Sequence, residues 1–587
     1  MTQDVRSLIV AHPSRVFLSV CPLLAFFSLS TTPGFIPIVA LITSLRLWSW
    51  ISIPRANHTA SKVSQVLLVA VAAGATQLAP STQALSTPTT SLVILSLFSV
   101  FSSSIAFAAF FIAYSASRAA NTPWTRLAMF PAIWATTWGS ISRVSPLGHL
   151  ANWSPVLGLE AYNWSREVFG QWGIDWITAA WAVVLSEVIG DWLVAVDQQE
   201  LDSEAQEVLV DVQDANHPSQ GVIGGQERKA MTRSRGLWSL LAILIALALP
   251  SYIISSYPMR PQSPETTSFT VGCALPASRP NGKISGEPTL QDYIVETRTI
   301  QAYAPIVLWP EGAVRFNSLE EKQNAFQAIQ DMPLGRGRFV GVSFEDYTPA
   351  STEDGIYHPA MRRNGFALLG HTGAPVMEYY KRNLVPVAES FSLTPGTEEP
   401  PIYNYELTAP KRYKKPDWAP APNFTRPIPV TASICFDFAS SSSFALLESR
   451  PAIIFAPAKT WHLDIGYAMW EQAKARAMET GSVVVWCDGG AGGVSGVAAR
   501  GLQEIVQVGQ GSWTRTIGLQ WPFDERRTVF NWGGSYMALI SVWGILGVGW
   551  VVEGVAYRRA FLFGPVMGLL ARFSRRRTDE ERPLLHD

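Results

Sequence analysis

The sequence predicts two unlike halves in one chain: a multi-span α-helical membrane domain, and an α/β layered domain carried between its last two spans. Three observations predict it. The 587 residues are 48% hydrophobic and only 16% charged, with 22 tryptophans, a balance that points toward a bilayer. The first 260 residues form a series of apolar runs. Residues 261–533 instead alternate short apolar strands with helix-like stretches, the rhythm of a layered α/β domain.

Eight runs are candidate spans: Val16–Ser30, Phe35–Ile53, Val63–Ala79, Ser91–Tyr114, Leu127–Ile141, Gly173–Ala195, Leu237–Tyr257 and Tyr536–Val552. A bilayer core takes about 20 helical residues, so the first, third and fifth runs are marginal. Positive charge supports the count. Arg6, Arg15, Arg55, Lys62, Arg118, Arg126, the group Arg228–Arg235 and the group Arg558–Arg577 all fall on one side if the N-terminus is cytosolic. Both termini are then cytosolic, and 261–533 faces a lumen or the outside. Residues 198–235 read as a cytosolic linker, 534–557 as the final span and 558–587 as a cytosolic basic and acidic tail, disordered from Ser574. Within that tail "EERPLL", Glu580–Leu585, is similar to an acidic dileucine sorting signal. With the tripeptides at Asn163 and Asn423 on the lumenal side, it places the chain in a eukaryotic secretory pathway, endosomal or vacuolar. Glu187, inside the sixth run, reads as a packing or interfacial group.

The strands of the lumenal block include "SFTVGC", "PIVLW", "FVGVSF", "FALLG" and "AIIFAP"; its helices include Leu290–Ala302 and Ile465–Thr480. A net charge of −1 gives no reason to expect nucleic acid. The four cysteines show no metal-ligand spacing, and His462 has no partner histidines, so no metal is indicated. No cofactor is called for either. A Cys273–Cys487 bridge is compatible with an oxidising compartment, though nothing in the sequence demands it.

Chemistry concentrates in three patches, each a polar residue closing an apolar strand-like run: "VLWPEGAV" with Glu311, "YYKRNLVPVAES" with Lys381 and Glu389, and "SICFDF" with Cys435. In layered α/β domains, sites assemble at the carboxyl ends of strands. A cysteine needs a base or a cation beside it to become a thiolate at neutral pH, and a carboxylate with an ammonium group supplies both.

Taken together these patches resemble the nitrilase, or carbon–nitrogen hydrolase, superfamily with its Glu–Lys–Cys triad. They are most similar to its membrane branch, the apolipoprotein N-acyltransferases. "LWPEGAV" is similar to that branch's WPE-type segment, "YYKRNLVPVAE" to its Y-x-K-x-x-L-V-P-x-x-E, and "SICFDF" to its I-C-Y-E. "APAKTWH" resembles its N-x-x-x-x-W loop, "QAKARAMETG" its following helix, and "DGGAGGVSG" its N-N-G-x-T/S strand. "AIWATTW" and "GQWGIDW" are similar to its membrane half more loosely. The resemblance implies an α-β-β-α sandwich between the seventh and eighth of eight spans.

It also implies roles. Glu311 acts as general base and acid, Cys435 as nucleophile, and Lys381 with the Phe436 backbone N–H as oxyanion donors. Glu389 orients the lysine, and Trp461 sits in a lid over an acyl chain. The acyl donor is a membrane phospholipid, the thioester forms on Cys435, and the acceptor is an amine borne by a protein, peptide or lipid; the bacterial relatives acylate lipoproteins. Phe436 and Asp437 stand where the family carries tyrosine and glutamate, which places both near the substrate pocket; Asp437 is equally open to a role that only orients backbone near the site. "AKTWH" lacks the family's asparagine. The serine run Ser440–Ser443 is expected to begin the next helix. Two other classes stay open: a membrane-anchored amidase using the same triad, and a non-catalytic scaffold that keeps the fold.

Overall fold

The computed structural model describes residues 2–55, 59–210, 223–253, 265–276, 287–333, 335, 337–353, 356–410 and 414–579. Each apolar run is helical: Pro13–Ser28, Phe35–Ser52, Thr59–Thr76, Pro88–Ala119, Pro123–Val144, Arg166–Val210, Ile223–Ala248 and Val529–Asp579. Six of these contain a stretch long and apolar enough to cross a membrane. The first expected span falls short because its helix has only 16 residues. The fifth falls short because Arg126, Thr136, Thr137, Ser140 and Arg143 interrupt its apolar residues. The third, marginal by its length in sequence, qualifies.

Two expected irregular segments are partly helical. The linker is helix up to Val210 and again from Ile223, while 211–222 lie outside the described residues. The last helix runs to Asp579, past the expected start of the tail, because a run of arginines is as helix-compatible as the apolar residues before it. The dileucine-like segment lies outside the described residues.

The helices pack around tryptophan. The ring centroids of Trp134 and Trp138 lie 5.6 Å apart, and Trp138 stacks on Trp153 at 6.0 Å. Glu187 pairs with Arg46 at 3.0 Å, both buried, so the helix charges compensate each other rather than mark a site.

The described residues between 265 and 528 build two large sheets packed face to face, and a two-stranded ribbon of Ser351–Glu353 with Ile356–His358. The first sheet runs Trp513–Gln520, Thr266–Cys273, Ile306–Leu308, Phe339–Thr348, Met361–Leu369, Met377–Tyr380, with Val314–Arg315 paired to Phe339–Thr348. The second runs Leu502–Val508, Val494–Ala499, Val483–Asp488, Ile453–Ala458, Thr425–Ala432, Tyr403–Thr408. Alternation explains the layers. In the first sheet Ile306, Leu308, Phe366 and Leu368 face the second sheet, and the Phe366 and Phe455 rings meet at 6.3 Å. Val307, Val340, Val342 and Ala367 face the other way, onto helices Leu290–Ile300 and Leu319–Gln330. Helix Leu463–Thr480 packs Met469, Trp470, Ala473 and Ala477 against the second sheet. The layer order is therefore α-β-β-α. A disulfide between Cys273 and Cys487 ties the two sheets together.

The central strands of each sheet are parallel, so their carboxyl ends share one edge of the sandwich. Strand Met377–Tyr380 reaches the same edge after two antiparallel steps.

Candidate active site

Three strand ends deliver three side chains to that edge. Strand Ile306–Leu308 ends at Trp309, whose indole N–H donates to the Thr297 hydroxyl at 2.8 Å and fixes the turn that presents Glu311. The Glu311 N–H then donates to the Ala458 carbonyl of the opposite sheet. Lys381 follows strand Met377–Tyr380, with its backbone N–H on the Asn364 carbonyl at 2.9 Å. Cys435 opens a 3₁₀ turn, Cys435–Ala439, just past strand Thr425–Ala432. Its φ of 42° lies in the left-handed region, which a residue with a Cβ enters at a cost of about 1 kcal/mol or more. Such an outlier at a strand end projects the thiol away from the strand.

The three side chains meet. The Lys381 ammonium, fully buried, donates to Glu311 Oε1 at 2.7 Å and to both oxygens of Glu389 at 2.8 Å. Cys435 and Glu311 face the same cavity, both almost fully buried. Glu389 is held in turn by the Val385 N–H on Oε2 at 2.7 Å. One cation thus sits between two carboxylates, beside a thiol. Burial raises the pKa of Glu311, Lys381 pulls it back, and the charge on Glu389 raises it further. Burial also raises Cys435 well above its ordinary value, as does the Glu311 charge, while Lys381 and the Lys459 backbone N–H lower it. Burial works to lower Lys381, but Glu311, Cys435 and Glu389 overcome it and leave the ammonium firmly charged. The resting site therefore holds a neutral thiol beside a carboxylate whose proton affinity burial has increased.

Asp437 takes the second of the two places open to it, at the backbone beside the site rather than in the pocket. It does not line the cavity but is fully buried behind it, where its carboxylate accepts from the Tyr379 hydroxyl at 2.7 Å, the Arg382 N–H at 3.2 Å and the Asn383 N–H at 2.8 Å. It also accepts the Ile434 N–H at 3.0 Å, so one carboxylate ties the lysine segment to the nucleophile turn. Phe436 does line the cavity. The serine run forms a four-residue 3₁₀ turn, Ser441–Phe444, rather than a helix start, because the Ser440 hydroxyl accepts the Ser442 N–H and turns the chain locally.

A cavity of about 520 Å³ opens from Cys435, within the size of ordinary ligand pockets. Glu311, Glu389, Phe436, Trp461 and Met469 line it from the sandwich; Leu29, Ala73, Leu95, Phe98 and Leu150 line it from the helical half. The Trp461 indole N–H donates to the Pro80 carbonyl at 3.0 Å, closing one wall between the halves. The Trp461 loop is itself held by Asp488, which accepts from the Thr460 N–H and hydroxyl at 3.0 and 2.7 Å.

Sequence reasoning missed several supports. Asn364 donates to Glu311 Oε1 at 2.7 Å, and Asp488 anchors the Trp461 loop. His149 reaches the site from the helical half. Among the described residues no group of three or more metal-ligating side chains is present.

No family model and no curated protein matches the chain. Solved structures do, members of the nitrilase superfamily among them. An amidase from Nesterenkonia sp. is 14% identical with a TM-score of 0.29, matched over 43% of this chain and 90% of that one. Nit3 of Saccharomyces cerevisiae, a member of branch 10 of the nitrilase superfamily, is 16% identical with a TM-score of 0.31, over 44% of this chain and 93% of that one. A mutant of the Nesterenkonia amidase, 15% identical, TM-score 0.31 and matched over 43% and 90%, carries the acetamide moiety of fluoroacetamide on its active-site cysteine.

Proposed function

We propose that the protein is a membrane-embedded N-acyltransferase of nitrilase type, moving an acyl chain from a phospholipid through a Cys435 thioester to an amine. One observation carries this reading: the cavity at Cys435 takes part of its apolar wall, Ala73, Ile94, Leu95 and Phe98, from two helices apolar enough to span a bilayer. An enzyme for small water-borne amides has no use for such walls.

The steps follow from the geometry. Glu311 takes the Cys435 proton as the sulfur attacks the ester carbonyl. The Lys381 ammonium and the Phe436 N–H stabilise the oxyanion, a contribution of about 3–4 kcal/mol per donor in such sites. The C–O bond breaks, Glu311 returns the proton to the departing alkoxide, and lyso-phospholipid leaves. An amine then attacks the thioester, Glu311 takes its proton, the C–S bond breaks, and the proton returns to sulfur. Glu389 keeps Lys381 in place while Glu311 cycles through its neutral form.

The helical half exposes Val71, Leu97, Phe101 and Val548 outward, each more than 60% accessible, which supports a lipid surround. The Cys273–Cys487 bridge supports an oxidising, lumenal setting for the sandwich. Both termini then face the cytosol.

The test uses the full chain in micelles with phospholipid labelled in its acyl chains. We expect a hydroxylamine-sensitive label on Cys435, discharged by added amine and absent from Cys435→Ala. Lyso-phospholipid release by Cys435→Ala in the presence of amine would overturn the mechanism. Ammonia release from amides by the wild-type chain, without any lipid-derived adduct, would replace it with the amidase reading.

A further inference from the structure

The helical half touches the nucleophile turn through one short connector. Residues Gly148–Ala151 form a 3₁₀ turn after helix Pro123–Val144. Gly148, at φ 55°, lies so close that a Cβ would come within 2.2 Å of the Ala439 carbonyl oxygen. The next residue, His149, shares a hydrogen bond of 2.8 Å between Nε2 and the Ser441 hydroxyl. The connector therefore sits directly on the segment that follows Cys435.

His149 and Asn152 both line the cavity, and each is 8% exposed. They are neighbours, since the Asn152 N–H donates to the His149 carbonyl at 3.2 Å. Each also has a buried polar atom with no partner among the described residues: His149 Nδ1 and Asn152 Oδ1. The Asn152 amide is oriented by its Nδ2 donating to the Trp138 carbonyl at 3.1 Å, which fixes the free atom as an acceptor. A buried acceptor without a donor costs about 1–3 kcal/mol. A ligand that brings an N–H removes that cost.

We propose that His149 and Asn152 form the acceptor subsite, binding a primary amine in its uncharged form through its N–H group. This deepens the acyl-transfer reading and rests on it. Burial and the positive charges of Arg476 and Arg166 hold the His149 imidazole neutral, its pKa well below the usual value. The same surroundings disfavour an alkylammonium ion. An amine that loses its proton on entering is the form that attacks a thioester. The connector thus selects the nucleophilic species while the sandwich supplies the electrophile.

The two half-reactions separate the possibilities. The full chain is first acylated with labelled phospholipid, and the adduct on Cys435 is then discharged with n-hexylamine or with hydroxylamine. For His149→Gln and Asn152→Leu we expect acylation as in wild type, a KM for hexylamine raised about tenfold per lost hydrogen bond, and unchanged discharge by hydroxylamine, a nucleophile too small to need the subsite. Ser441→Ala, which removes only the Nε2 partner, should raise the hexylamine KM by less. Acylation measures folding in every variant. An unchanged hexylamine KM with normal acylation overturns the assignment and makes these atoms a water site. Slowed acylation with normal amine discharge overturns it in favour of a donor-lipid contact. No adduct on the wild-type chain overturns the acyl-transfer reading and the subsite with it.

Discussion

At the sandwich end of the cavity the charged groups have their partners in place, whereas at the connector end neutral polar atoms, His149 Nδ1 and Asn152 Oδ1 among them, have none among the described residues. Lys381 bridges Glu311 and Glu389, and Asn364 adds a donor to Glu311. His149 Nδ1 and Asn152 Oδ1 are buried and unpaired. The difference follows from the cost of burial. An uncompensated buried charge costs far more than a neutral group left unpaired, so charged machinery must be complete before substrate arrives. A neutral acceptor costs little enough to be left for a ligand to satisfy.

Removing the cation breaks the comparison most severely. Lys381→Met should lower kcat for Cys435 acylation by about 10²–10³-fold through the lost oxyanion donor. It should also destabilise the fold by about 3–5 kcal/mol, because two buried carboxylates lose their counter-ion; a fall in Tm reads the second effect, and an unchanged Tm would mean the triad is not held by charge. Asp437→Ala comes next. It frees the lysine segment from the nucleophile turn, and we expect a loss of about 2–3 kcal/mol together with slower acylation, although Asp437 never touches substrate. Normal acylation in a destabilised variant would reduce its role to folding alone.

A smaller change sharpens the electrostatics. Glu311 must be ionised to accept the thiol proton, and burial raises its pKa, so acylation should fall as pH drops through a value above the ordinary glutamate range. Asn364→Leu removes a donor that favours the ionised form. The acid limb of the pH–rate profile should then move upward by about one unit, while the backbone bond from Lys381 to the Asn364 carbonyl stays intact. A downward shift would contradict Glu311 as the base. The smallest effect is expected from Trp461→Phe, which keeps the ring but loses the bond to Pro80: up to about a tenfold rise in KM for long-chain donors, with little change for short ones.

The parts of the site legible in the sequence are those where local pattern and chemistry coincide. Glu311, Lys381 and Cys435 each close an apolar strand, and Glu389 follows Lys381 at a spacing that lets its side chain turn back. Asn364 was invisible because it sits inside a strand, and its partner Glu311 is 53 residues away in the turn after a different strand. His149 was hidden for the same reason on a larger scale, its partner Ser441 lying 292 positions along the chain. Asp437 was legible as a group that could orient backbone near the site, but its donors Arg382, Asn383 and Tyr379 were not, since tertiary packing sets them. Six of the eight expected spans are long and apolar enough to cross a membrane; Pro13–Ser28, with 16 residues, and Pro123–Val144, diluted by hydroxyl groups, are the two that fall short of that measure.

The left-handed backbone at Cys435 sets stability against activity at a single position. Glycine adopts φ 42° without strain, so Cys435→Gly should be more stable than Cys435→Ala by about 1 kcal/mol, the reverse of the usual order. Selection for a sturdier protein would therefore push this position toward a residue with no side chain, and only selection for the reaction holds sulfur there.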